Sequence, residues 1–154
     1  VQVAVLDGRE VVYVERLDSP HTLRMFLEIG RRNSAHCAGT GKALLAFIPR
    51  VELERLLAGW ELEARTEHTI TSVEQLRAEL EQIRRRGYAE NKHESEVGVV
   101  SIAAPIRDGT ARAIAAISVA GPAERLDPIN VELAQITMQT AAHVSRRLGY
   151  RALG

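Results

Sequence analysis

Within His36-Cys37-Ala38-Gly39-Thr40-Gly41-Lys42-Ala43 the chain gathers an imidazole, a thiol, a lysine and two glycines, the densest set of chemistry-capable groups it contains. A phosphate-cradling loop is the first chemistry to test. That motif needs glycine five places before Gly41, for the backbone curl, and Ser or Thr directly after the lysine, for magnesium. His36 and Ala43 stand at those places, so the segment does not read as a nucleoside triphosphate site. A glycine-rich turn entering a helix still offers unpaired backbone N–H groups at the positive end of the helix dipole, where a carboxylate can be held. The same glycines also suit a tight turn and close packing with no ligand at all, and local sequence leaves both readings open. Cys37 would serve as a nucleophile only if a histidine reached its sulfur, and sequence neighbours on a turn diverge; a buried, inert thiol is the competing reading.

A second constellation lies further along. Pairing across an even-length turn at Asp108-Gly109 would set Val99 opposite Ser118 and Ser101 opposite Ala116, so that Ser101 and Ser118 share one sheet face as diagonal neighbours about 7–8 Å apart. Ala116 and Ala120 fall on that face too, giving either a hollow with polar spots in its floor or a flat seat for a helix. The histidines His21, His36, His68, His93 and His143 show no paired helical spacing. His93-Glu94-Ser95-Glu96 is not the helical zinc-protease pattern; a metal at His93, Glu94 or Glu96 is a minor alternative to solvated charge.

The elements that must position these groups follow from periodicity. Val1 to Leu6 and Val11 to Leu17 read as two strands around Asp7-Gly8, and Arg24 to Ile29 as a third strand ending at Gly30. Short helices are expected from near Thr40 to Ile48 and from Val51 to Leu57, with Gly59 to Thr71, which holds Trp60, as a polar connection. Ser72 and Gln75 form a capping-box pattern for a helix carrying Val73, Leu76, Leu80 and Ile83, with Gly87 as its C-cap and Arg84, Arg85 and Arg86 complementing its dipole. Tyr88 to Lys92, Val99 to Ile106 and Arg112 to Ala120 read as strands. Asp127 with Pro128 is expected to open a last helix whose Leu133, Ile136, Thr140, Val144 and Leu148 face the sheet. Strands joined by hairpins, with helices between, predict an antiparallel sheet in an α+β domain.

The bulk properties limit the function. One domain of 154 residues can bury a sufficient core without cross-links. Twenty Lys and Arg against twenty Asp and Glu leave no net charge, so the field that drives binding to a phosphate backbone is missing. No apolar run is long enough to span a bilayer. The single cysteine excludes an internal disulfide and suits a reducing compartment, which places the chain in the cytoplasm. It opens at Val1 on a strand-like run, as a trimmed piece of a longer polypeptide would.

Taken together, His36 through Ala46, Gly87-Tyr88-Ala89, Glu94, Gly98, Ile102-Ala103-Ala104-Pro105 and Ile117-Ser118-Val119-Ala120-Gly121-Pro122 closely resemble the effector-binding domain of IclR-type bacterial regulators, over nearly the whole chain and in order. The resemblance implies a GAF-like fold with a six-stranded antiparallel sheet and helices on its faces, residues 1–154 forming a single effector-binding domain. It also implies an N-terminal winged helix-turn-helix domain outside this chain, through which alone DNA is bound. It further implies a small organic or aromatic acid as effector, assembly as a homodimer or dimer of dimers, no cofactor and no catalysis.

Carried over residue by residue, the resemblance assigns the effector pocket to Met25, Gly39, Thr40, Asn91, Ser101, Ser118 and Ala120. Some acid-sensing members carry Asp in place of Asn91, Cys in place of Ser101 and a second Ser in place of Ala120. Asn91 removes a repulsion toward an anion and Ala120 substitutes a methyl for a hydroxyl, so a larger, partly apolar acid is the expectation. A small thiol enzyme using Cys37, or a dimerisation module without ligand, remains as the alternative.

Overall fold

Gly8, at φ 60°, turns the chain tightly enough for Asp7 to pair with Glu10 and so joins β1 (Gln2–Asp7) to β2 (Glu10–Arg16). This is a computed structural model, and it describes residues 1–22 and 27–152. The further elements are β3 (Arg32–Ser34), α1 (Gly39–Phe47), α2 (Arg50–Leu57), α3 (Val73–Arg86), β4 (Ala89–Lys92), β5 (Val99–Arg107), β6 (Ala113–Pro122), α4 (Ala123–Leu126), a 3-10 turn at Asp127–Ile129 and α5 (Asn130–Arg147). The strands form one six-stranded sheet in the order β3-β2-β1-β6-β5-β4, antiparallel at every step. The expected α+β fold is thus present.

Each sheet face takes a different cover. Toward α1 the sheet presents small residues, Ala4, Ala103 and Ala116, all fully buried, and these let the helix lie close. Gly41 is required there, because a Cβ on it would stand 2.2 Å from the carbonyl oxygen of Ala35. Outside α1, Leu76, Leu80 and Ile83 of α3 are completely buried. Each such side chain contributes about 1.5–3 kcal/mol by leaving water. Ser72 caps α3 by accepting a hydrogen bond from the Gln75 amide, and Gly87 ends it in the left-handed conformation, as the spacing predicted.

Four local expectations need correction. Arg24 to Phe26 of the expected third strand lie outside the described residues; Leu27 and Glu28 are not in a strand, and Ile29-Gly30 is a turn. Gly30, at φ 90°, donates to the Tyr13 carbonyl and redirects the chain, so polar Arg32–Ser34 rather than an apolar run adds to the edge of β2. A charged edge is also poorly suited to pairing with other chains.

The β5–β6 turn is longer than two residues. The Asp108 carboxylate accepts from the Thr110 amide and hydroxyl, Ala111 takes φ 67°, and a bulge follows Ile106. The pairing therefore slides: Ser101 faces Ala120 and Ser118 faces Ala103. Because the displacement is even, Ser101 and Ser118 still share the face toward α1 as diagonal neighbours.

At the C-terminal end, Ala123–Leu126 is a short helix and Asp127 lies within the 3-10 turn rather than capping α5, which has no side-chain N-cap. The inward face of α5 is also different from the expected one. Ala134, Thr137, Ala141 and Ser145 pack on the sheet, whereas Ile136 is 57% and Leu148 47% exposed. Small residues win because the helix crosses β5 and β6 closely: the Ser145 hydroxyl accepts from the Arg107 amide and donates to the Ala141 carbonyl.

Candidate functional site

The N-terminus of α1 meets the sheet where the floor is polar. The residue before the helix, Ala38, supplies no side-chain cap, and the first amide with an i−4 partner is that of Lys42, which donates to Ala38. The preceding amides, of Gly39, Thr40 and Gly41, therefore point along the positive end of the helix dipole. Gly39 touches the strands: a Cβ on it would lie 2.5 Å from Ser101 Oγ and 3.7 Å from the Cβ atoms of Asn91 and Ala103. Only glycine brings the helix end this near.

Beside this contact lies a cavity of about 530 Å3 lined by Gln2, Tyr13, Gly39, Thr40, Asn91, Ser101, Ser118 and Ala120 among others. Gly39, Thr40, Asn91, Ser101, Ser118 and Ala120, all singled out from the sequence, come together on this wall; Met25 lies outside the described residues. Two rows of the sheet form the floor. Asn91, Ser101 and Ala120 pair side by side across β4, β5 and β6, and the next row runs Ala89, Ala103, Ser118 and Gln2.

The polar groups differ in how far they are occupied. Asn91 is committed to its own loop, accepting from the Glu94 amide at 2.9 Å and donating to Ser95 Oγ at 2.7 Å. Ser118 Oγ reaches only a long contact, 3.4 Å, to Gln2 Oε1. Thr40 is 2% exposed, and its Oγ1 is buried with no close hydrogen bond, the Tyr13 phenol standing beside it as a weak partner. The Tyr13 phenol approaches Thr40 and Asn33; burial raises its pKa, and these two side chains offset part of that. Arg31, Arg32, Arg65 and Glu96 also line the cavity, and Arg65 lies 3.9 Å from Glu63. Arg32 is held by Asp7 at 2.5 Å and Glu10 at 2.8 Å.

Beneath the wall lies a feature that sequence reasoning missed. Lys42, 2% exposed, donates from Nζ to both carboxylate oxygens of Glu94 at 2.9 and 2.8 Å, with Glu79 at 3.6 Å. Glu94 also accepts from the Lys92 amide, and its carbonyl accepts from Thr69. The pair ties the first turns of α1 to the β4–β5 loop, so the cavity's two sides are mutually fixed. Desolvation is the largest influence on Glu94 and raises its pKa.

The alternative chemistries of this stretch find no geometry. Burial pushes the Cys37 thiol up to about 11, and its hydrogen bond goes to the Ser34 carbonyl. His36 directs Nε2 to the Glu63 carbonyl at 2.9 Å and packs edge-on against Trp60, while its Nδ1 has no partner and so no bond to the thiol. Glu94 is bound to Lys42 and His93 Nδ1 accepts from the Gly98 amide. Among the described residues no group of three acidic, His or Cys side chains is arranged to hold a metal, and no helix is long and apolar enough to cross a membrane.

Comparison with known proteins gives concordant matches. The family model described as bacterial transcriptional regulator IclR C-terminal matches residues 1–146. The HTH-type transcriptional regulator KdgR of Escherichia coli is 37% identical over 151 residues, covering 97% of this chain and 57% of the relative. The chain thus spans little more than half the length of that relative. The crystal structure of Thermotoga maritima IclR superposes with a TM-score of 0.91 at 33% identity, over 97% of this chain and 61% of that one. The inducer-binding domain of an Acinetobacter PobR double mutant, solved with 3-hydroxybenzoic acid, superposes with a TM-score of 0.83 at 27% identity, over 94% and 86% of the two chains.

Proposed function

The chain belongs to the IclR family of bacterial transcriptional regulators, matching their C-terminal domain, and on that premise we propose that it is the effector-sensing part of such a regulator, taking a small organic acid into the cavity beside α1. The observation that carries the proposal is the uncapped start of α1, whose Gly39 and Thr40 line the same cavity as Ser101 and Ser118. The ligand's carboxylate accepts from the amides of Gly39 and Thr40, and the two serines orient the remainder. A neighbour solved with a benzoic acid supports an acid in this fold.

Residues 1–154 act as a single effector-binding domain in a homodimer or dimer of dimers, and DNA is addressed through an N-terminal winged helix-turn-helix domain of the same polypeptide. Effector binding shifts the population between arrangements of the domains, by as much as its affinities for them differ. The chain works in the cytoplasm without catalysis; the inert setting of Cys37 supports this over a thiol enzyme. A thermal-shift screen of small organic acids on this chain and on Ser118→Val tests the reading. A shift reduced by the substitution, with no product formed, is expected, and no shift for any acid contradicts it.

A further inference from the structure

Glu94 is 7% exposed, and each of its polar groups has a partner. Its carboxylate accepts from Lys42 Nζ at 2.9 and 2.8 Å and from the Lys92 amide at 3.1 Å; its own amide donates to Asn91 Oδ1, and its carbonyl accepts from the Thr69 hydroxyl. Neither Glu94 nor Lys42 lines the cavity, yet three pieces of the cavity wall converge on them. The first is the start of α1, where Lys42 stands one helical turn beyond Gly39. The second is Asn91 on the floor. The third is Arg65: its amide and that of Thr66 donate to Thr69 Oγ1, the same hydroxyl that donates to Glu94, so the connection between α2 and α3 hangs on this residue too.

Stability alone does not account for charges at this place, because an apolar pair of similar volume stabilises a buried contact as well or better. What an apolar pair lacks is direction. Hydrogen bonds to both oxygens of one carboxylate fix distance and angle together. Resting on the acid-sensor reading above, we infer that Lys42 and Glu94 are positioning residues for the effector: without touching it, they hold α1, β4 and the α2–α3 connection in the register that binding requires. A site assembled before its ligand arrives spends no binding energy on ordering its walls, so the pair acts on affinity more than on stability. Glu79, 3.6 Å from Lys42, is bound by Arg86 at 2.9 Å and keeps that partner when Lys42 is replaced.

The test compares this chain with Lys42→Met/Glu94→Leu, which removes the clamp without leaving a buried charge, and with Arg77→Ala/Glu54→Ala, which removes an ion pair between α3 and α2 outside the cavity. Amide hydrogen exchange is read without ligand. Affinity is read by calorimetric titration with benzoate, 3-hydroxybenzoate, succinate and gluconate, the tightest binder of the parent serving for every variant. In the clamp variant the amides of residues 42 and 94 should exchange about tenfold faster, while those of Leu80 and Ile83 and the melting temperature hold. Affinity should fall about tenfold or more. The Arg77→Ala/Glu54→Ala variant should bind as the parent does. Parent-like affinity in a folded clamp variant overturns the inference, and so does an equal loss in the Arg77→Ala/Glu54→Ala variant, which would trace affinity to general stability. If the clamp variant does not fold, Thr69→Val, which severs one link only, carries the same test: a loss of about threefold is expected, the worth of one hydrogen bond, and no loss overturns the inference. No binding of any acid by the parent overturns the acid-sensor reading and the role in affinity with it, while the exchange rates still show whether the clamp orders the wall.

Discussion

A methyl group placed on Gly39 would stand 2.5 Å from the Ser101 hydroxyl, so the start of α1 and the floor strand β5 are in contact through a residue that has no side chain. The hydroxyl can rotate away, at a cost to the cavity rather than to the fold. Gly39→Ala is expected to leave the unfolding free energy within about 1 kcal/mol of the parent, because helix propensity offsets the crowding, and to weaken acid binding at least tenfold. Urea unfolding and calorimetry on the same sample separate the two effects.

Gly41 offers the contrast. Its added Cβ would meet the Ala35 backbone, which cannot rotate aside, so Gly41→Ala should destabilise by about 3 kcal/mol or more, read as a fall in the urea midpoint.

The Lys42–Glu94 pair is expected to behave as a buried ion pair broken from one side. Lys42→Met alone should cost about 3–5 kcal/mol by leaving Glu94 uncompensated, and adding Glu94→Leu should recover most of the loss. A double-mutant cycle by chemical denaturation measures the coupling; simple additivity would mean that the pair does not hold the helix to the loop.

His36 sets a pH dependence. Burial is the largest cause lowering its pKa from the ordinary 6.5, opposed in part by the Glu63 carbonyl. Below about pH 6.5 the unfolded chain takes up a proton that the folded chain refuses, so stability is full above that value and falls as the pH drops toward the folded pKa. Melting temperatures between pH 5 and 8 should show this slope in the parent and a shallower one in His36→Phe.

How far the site could be read in advance depended on the range of the interaction. Ser101 and Ser118 were placed on one face because strand alternation has period two, and the turn at Asp108 shifted the register by an even step that preserves it. Gly39 and Thr40 were legible as a helix start from local composition. Lys42 and Glu94 are 52 residues apart, and nothing local marks a lysine that will be buried. Gln2 and Tyr13 read locally as ordinary strand residues, although a polar Gln2 among valines is a usable signal. The inward face of α5 is not legible from the spacing of its large residues, because close approach to the sheet selects the small Ala134, Thr137, Ala141 and Ser145.

The central claim concerns two backbone amides, and nuclear magnetic resonance observes them directly. In a 15N-labelled sample titrated with the organic acid that gives the largest thermal shift, the Gly39 and Thr40 amide protons should move downfield and saturate with that acid. Binding that leaves both resonances in place while others shift would contradict a carboxylate held at the start of α1.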